Sequence, residues 1–369
     1  MGLEYFIDIS WSTAAQVVML GFIGGILSGF IGSGGAFFMT PGMMNLGILG
    51  PVAVASNITH KFGKAMVGSK RHSELGNVDK KLSIFMLITA AIGIRLAVML
   101  MKVMFEGKEG HTVKTSAGAD LYISLVFVIV LTIVSISMLR DISKSRKKLD
   151  KGPSKKIVEF LNKYKLPPII FFPVAEISVS LWVVLIVGLA CGYLAGTIGV
   201  GGFIGVPAMI YVFGASASVA AGSELYLAMF MGAFGAINYA FEGLVDIRLT
   251  LLLFVGSLLG IYVGAYGTKV VKEVSIRLVT AIIILLCVVS RFIAIPVYLQ
   301  QLNFIDMDPS YNDYFNFASK AMLYLSGISG GLLILFYVFK AYFHRRKIQA
   351  SFSAEFPLTI KEKFVEKNP

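Results

Sequence analysis

The sequence predicts an all-α integral membrane protein: two inverted repeats with Gly-hinged short or re-entrant helices, plus an extra C-terminal transmembrane helix. Three observations carry that expectation. The first is composition: the 369 residues are 56% hydrophobic and only 15% charged, with a mean hydropathy of +0.79, well outside the range of ordinary soluble domains. The second is a duplication. Gly21 to Asp79 is written again as Gly188 to Asp246 at a constant offset of 167 (192 − 25), without a gap. That offset superimposes Gly32, Gly34, Gly35, Ser56, Gly76, Val78 and Asp79, among others, on identical residues, and a repeat of this kind constrains architecture before any single residue is interpreted. The third is the distribution of charge. The net charge of +12 would suit nucleic acid, but the basic residues sit in short loops between apolar segments, where membrane orientation accounts for them.

Apolar length, punctuated by Gly, Pro and charge, gives eleven segments: 11–31, 36–50, 51–69, 82–104, 121–139, 178–197, 203–214, 218–241, 249–268, 276–299 and 318–342. A helix needs about 17 to 25 apolar residues to cross ~30 Å of hydrocarbon. The segments 36–50 and 203–214 are too short, and each directly follows a Gly-x-Gly-Gly turn. They read as half-helices or re-entrant segments, held where other parts of the protein satisfy their backbone.

Basic loops lie at Lys70–Lys81, Arg140–Lys165, Lys269–Arg277 and His344–Lys347, whereas the amino terminus, Glu242–Asp246 and the loop carrying Asp306, Asp308 and Asp313 are acidic or poor in Lys and Arg. If each Gly-hinged pair returns the chain to its starting side, all the basic loops are inside and the acidic ones outside. Copy one then begins outside and copy two inside, related by a two-fold axis in the membrane plane. The expected division is repeat 1 at 1–140, a basic cytoplasmic linker at 141–176, repeat 2 at 177–300, an acidic outer loop at 301–317, an extra transmembrane helix at 318–343 that packs peripherally, and a cytoplasmic tail at 344–369. Glu4 and Asp8 stand where a cleaved signal would carry basic residues, so the amino terminus is read as mature. Cys191 and Cys287, in apolar runs without a CxxC or Cys/His pattern, are expected as buried free thiols.

Candidate site residues begin with the turns Gly32-Ser33-Gly34-Gly35 and Gly199 to Gly202, notably Gly199, Gly201 and Gly202. Glycine admits positive φ and close approach to backbone N–H groups, and a short helix starting after each turn would aim its positive end at the midplane as an anion site. The other reading is that these glycines serve close helix packing, which is the expectation for Gly21, Gly25 and Gly29. The third segment carries Asn57, His60, Lys61 and Lys64 mid-span, with Asn57, Lys61 and Lys64 on one face. A lysine at the bilayer centre costs at least ~2.5 kcal/mol, so such groups face a cavity or a partner. At the repeat offset Asn57 aligns with Glu224 and Lys61 with Ala228. Glu224 is accordingly read as a proton-coupling carboxylate, or as one half of a structural ion pair with Lys61 or Lys64. Ser56 and Ser223 align and adjoin these groups; they could donate to an oxyanion, or bond their own helix backbone. Arg95 is a second anion contact or snorkels outward, and His72 and Asn238 are weaker candidates. No H-E-x-x-H occurs, the Gly32-Ser33-Gly34 stretch is not the G-x-S-x-G of a nucleophile elbow, and the glycine turns miss G-x-G-x-x-G spacing, so enzyme, cofactor and metal are not expected.

The stretches Gly25-Ile-Leu-Ser-Gly-Phe-Ile-Gly-Ser-Gly-Gly35 and Gly192-Tyr-Leu-Ala-Gly-Thr-Ile-Gly-Val-Gly-Gly202, with Pro207 and the closing Gly76-Asn-Val-Asp79 and Gly243-Leu-Val-Asp246, resemble the TauE/SafE family of sulfite and organosulfonate permeases. The resemblance spans roughly residues 14–300. It implies a cell-membrane transporter, working as an exporter, of small sulfur-containing anions such as sulfite or sulfonates. The linker, the outer loop after Arg291, the last segment and His60-Lys61-x-x-Lys64 depart from the usual short family member. The expected partners are a small anion and the lipid bilayer, with a homodimer as the assembly considered and no nucleic acid. Proton-coupled alternating access is the mechanism expected. An anion channel, or an intramembrane sulfur-handling enzyme or scaffold, stays open as the alternative.

Overall fold

Eleven helical segments and one β-hairpin follow one another in the computed structural model, which describes residues 6–31, 35–105, 116–147, 166–199, 201–270 and 273–355. Copy one contributes α1 (Trp11–Ile31), α2 (Ala36–Asn45), α3 (Gly50–Glu74), α4 (Lys80–Phe105) and α5 (Ser116–Lys147). Copy two contributes α6 (Leu181–Ile198), α7 (Gly202–Ala208) running on as a π-turn at Met209–Phe213, α8 (Ala217–Phe241), α9 (Ile247–Val270) and α10 (Glu273–Gln301). The last helix, α11 (Tyr311–Glu355), extends beyond its expected apolar segment at both ends. Eight of these helices are long and apolar enough to cross a membrane, so the chain is a multi-pass membrane protein. α3 has the length, with 25 residues, but its polar residues keep it below that threshold.

The repeated Gly-x-Val-Asp is a stop-and-start signal. Gly76 and Gly243 take φ of 71° and 70°, the left-handed conformation that ends a helix and that glycine adopts without strain. Asp79, three residues on, accepts the N–H of Leu82 at 3.0 Å and so caps the start of α4. Both cysteines are free and buried, as expected.

The hairpin was not expected. β1 (Ile169–Phe172) pairs antiparallel with β2 (Ile177–Ser180), in the register Ile169↔Ser180 to Phe172↔Ile177. It straddles the expected boundary at 176/177, and α6 therefore begins only at Leu181. Apolar length hides it, because Ile-Ile-Phe-Phe is too short to count as a span while its β-branched and aromatic residues suit a strand.

The two copies exchange partners. α1 lies along α9, where a Cβ on Gly21 or Gly25 would strike the backbone of Leu253 or Ser257. At the repeat offset, α6 lies along α4, where a Cβ on Gly188 or Gly192 would strike the backbone of Met86 or Ala90. Both pairs run parallel, in register with the numbering. Between them α3 and α8 cross antiparallel, Gly235 meeting Ile58, Gly232 meeting Phe62 and Gly68 meeting Leu225. α1 and α9 both start at the 242–246 end of the molecule, and α4 and α6 at the 75–79 end. α11 is peripheral on one face, with Leu325, Leu332 and Phe336 at 54 to 61% exposure. Its other face goes deeper than expected: Gly327 faces Phe38 of α2, and Ser326 donates to the Ile283 carbonyl at 3.1 Å. Small residues there allow the backbones to approach.

Candidate functional site

The site is built where α2 and α3 of copy one meet the turn and helices of copy two. α6 ends on Gly199 at φ 75° and ψ 6°, a left-handed position that penalises any side chain. A Cβ there would stand 3.0 Å from Asn57 Nδ2 and 3.3 Å from Thr40 Oγ1. The turn of copy two thus faces side chains of copy one. Asn57 Nδ2 donates to the Ala36 carbonyl at 3.0 Å and to Thr40 Oγ1 at 2.7 Å, and Thr40 donates to the Ile198 carbonyl at 3.2 Å. With both amide hydrogens committed, Asn57 Oδ1 remains buried without a hydrogen-bond partner among the described residues.

Glu224 sits at the equivalent place in α8. Its carboxylate lies against Gly205, whose missing side chain makes room for Oε2, and neither oxygen accepts a hydrogen bond among the described residues. Lys61 Nζ is 3.8 Å from Oε1, and the two side chains are 12% and 4% exposed. Burial of two charges is offset only when geometry and additional hydrogen bonds are good. This pair has the charge complementarity and lacks the additional hydrogen bonds among the described residues. Lys64, a turn further along α3, is part-buried and has no ion-pair partner among the described residues.

The remaining sequence candidates divide. Gly32, Ser33 and Gly34 lie outside the described residues. Gly35 is a close-packing position, because a Cβ would run into the Gly24 carbonyl. Gly201 likewise packs against Ala195 Cβ and the Cys191 carbonyl, each 3.0 Å from a built Cβ, while Gly202 is buried at the start of α7. His60 turns to α9, with Nε2 2.7 Å from Ser257 Oγ and its ring edge-on to Phe254. Arg95 is held by copy two, donating to Asn238 Oδ1 at 3.1 Å and standing 3.9 Å from Glu242, which Lys102 approaches to 2.6 Å. Ser56 and Ser223 bond neither their own helix nor the central groups. Ser56 Oγ pairs with the backbone of Asp246 and Ser223 Oγ with that of Asp79.

Two features escaped the sequence reading. Thr40 and Gly205 carry no local signal, since only the meeting of the copies gives them a neighbour. Arg291, 1% exposed, forms a second buried polar cluster with Ser319 Oγ at 3.1 Å and Tyr298 OH at 3.5 Å. Asp120, in Coulomb range of that arginine, accepts the Gly50 N–H at 2.7 Å. A charge inside the apolar segment 276–299 was the available signal.

Comparison with known proteins bears on this arrangement. Residues 17–291 match the family described as sulfite exporter TauE/SafE; the match ends inside α10, leaving α11 beyond it. Two Bacillus subtilis (strain 168) proteins are similar. "Probable membrane transporter protein YjnA" is 25% identical over 276 residues, covering 74% of this chain and 97% of its own length. "Probable membrane transporter protein YdhB" is 25% identical over 267 residues, covering 71% and 93%. No solved structure matches. With its duplicated glycine turns, its reciprocal helix pairs and a match over most of its length, the chain belongs to the sulfite exporter TauE/SafE family.

Proposed function

We propose that this membrane transporter is a proton-coupled secondary carrier that exports a small sulfur-containing anion, such as sulfite or an organosulfonate, by alternating access between two inverted halves. The observation that carries the reading is the buried Glu224, 3.8 Å from Lys61 and without a hydrogen-bond donor on either oxygen among the described residues. The empty site holds Glu224 ionised against Lys61. An entering anion takes that lysine's charge, with Lys64 and the N–H groups of the turns at Gly32 to Gly35 and Gly199 to Gly202 completing its contacts. The site would then hold one negative charge too many unless a proton joins Glu224. Family membership supports the transporter class, and the family's description supports a sulfur oxyanion as cargo. The helix directions support the inverted relation, since α1 starts at the 242–246 end and α6 at the opposite end.

Flux in proteoliposomes with labelled sulfite and a labelled organosulfonate tests the reading. Transport is expected to saturate and to follow an imposed proton gradient. Lys61→Gln should lose transport, whereas Glu224→Gln should keep anion binding and lose both the pH dependence and coupled flux. Non-saturable flux indifferent to the gradient would identify a channel, and chemical change of the sulfur compound an enzyme. Either result overturns the proposal.

A further inference from the structure

We propose that Ser56 and Ser223 are paired gate latches, each closing one face of the central site, so that opening to a face breaks the bonds at that face; the inference rests on the alternating-access reading above. The bonds are reciprocal. Ser223 Oγ accepts the Asp79 N–H at 2.9 Å, and Ser83 Oγ donates to the Ser223 carbonyl at 2.9 Å. At the repeat offset, Ser56 Oγ accepts the Asp246 N–H at 3.3 Å, and Thr250 Oγ1 donates to the Ser56 carbonyl at 3.4 Å. Each set joins the crossing helix of one copy to the turn of the other, where ordinary capping would have stayed within one copy. All four anchor residues are buried, Ser56 and Ser223 at 0% and Asp79 and Asp246 at 1% exposure.

Position turns these contacts into gates. The residues immediately after the serines are Asn57 and Glu224, whose side-chain oxygens are buried without a hydrogen-bond partner among the described residues. A turn released from its serine therefore frees the helix segment that carries a site residue. Because α3 and α8 are antiparallel, the two latches guard opposite ends, and both are closed in this structure. They are unequal. The Asp79 carboxylate also accepts the N–H groups of Val174 and Ala175 in the hairpin, each at 3.0 Å, whereas the Asp246 carboxylate is held by its neighbour Arg248 at 2.8 Å. The hairpin thus reinforces only the 75–79 face, and the resting protein opens more readily at the 242–246 face.

The test is sided labelling of Thr40→Cys, buried at 0% exposure in the site, in a Cys191→Ala/Cys287→Ala background. The assay uses oriented vesicles and a membrane-impermeant maleimide. No substrate is needed, so the result is independent of which anion is carried. Ser223→Ala is expected to raise labelling from the 75–79 face by about tenfold, the equivalent of one lost buried hydrogen bond, with the other face unchanged. Ser56→Ala should do the reverse, and Ser→Thr at either position should restore the baseline. If the serine variants do not fold, Ser83→Ala and Thr250→Ala, which remove the second bond of each set, must give the same sidedness. Asp79→Asn should add to labelling from the 75–79 face only. Unchanged labelling, or a rise on both faces from one variant, overturns the latch. If sidedness holds while no sulfur anion is carried, the cargo assignment falls and the latch stands.

Discussion

A single glycine shows how a residue's backbone conformation and its neighbours set its role. Gly199 combines φ of 75° with side chains of the other copy at 3.0 and 3.3 Å from where a Cβ would be. Gly199→Ala therefore meets both a left-handed backbone penalty of roughly 1–2 kcal/mol and a contact tight enough that the Asn57 amide must give way slightly. We expect a lower unfolding midpoint and loss of anion-dependent thermal stabilisation in detergent. A variant stabilised by sulfite as strongly as the parent would remove this turn from the site. Gly35 and Gly201 look identical to Gly199 on paper, yet they pack against backbone and side chains of the adjoining helices. The Ser56 and Ser223 hydroxyls were equally ambiguous: oxyanion contact and local back-bonding were both open, and the structure commits them to a third use, the turns of the opposite copy.

At the scale of elements, the molecule rests on two glycine-lined parallel pairs, α1 with α9 and α4 with α6. Without a hydrophobic force between helices in lipid, close backbone approach is what holds such pairs together. Gly192 sits where any Cβ would enter the Ala90 backbone, whereas Gly331 in α11 has nothing within 4 Å. Gly192→Val should therefore lower stability by about 1–3 kcal/mol through forced separation, while Gly331→Ala stays within about ±0.5 kcal/mol. Thermal unfolding of the purified variants checks both, and similar midpoints for the two would contradict the zipper. The hairpin belongs to this scale too. It is tied to α4 by Asp79 and by Lys81, which donates to the Phe171 carbonyl at 2.8 Å, so the segment entering copy two is pinned beside the turn that ends copy one's crossing helix.

For the whole molecule, the inverted reading makes the basic ends cytoplasmic and the acidic ends external. Leu75, 59% exposed within the first basic stretch Lys70–Lys81, and Asp308 in the acidic loop should then react, as cysteines, with an impermeant reagent from opposite faces of intact cells. Labelling of both from the same face would end the model of inversion. The sequence by itself determined the membrane class, the eleven apolar segments, the duplication and the family, because composition, apolar length, glycine punctuation and repetition are written along one dimension. It also singled out Asn57, Lys61 and Glu224, since polar residues in a membrane span are conspicuous wherever they fold. Only the tertiary structure decided which of these meet. Ser56 reaches Asp246 across 190 positions and Thr40 reaches Ile198 across 158, and Gly205 acquires its meaning from a carboxylate on another helix. Such pairings depend on how antiparallel α3 and α8 cross and on which copy each turn faces, a geometry set by helix packing between the copies that local sequence does not encode.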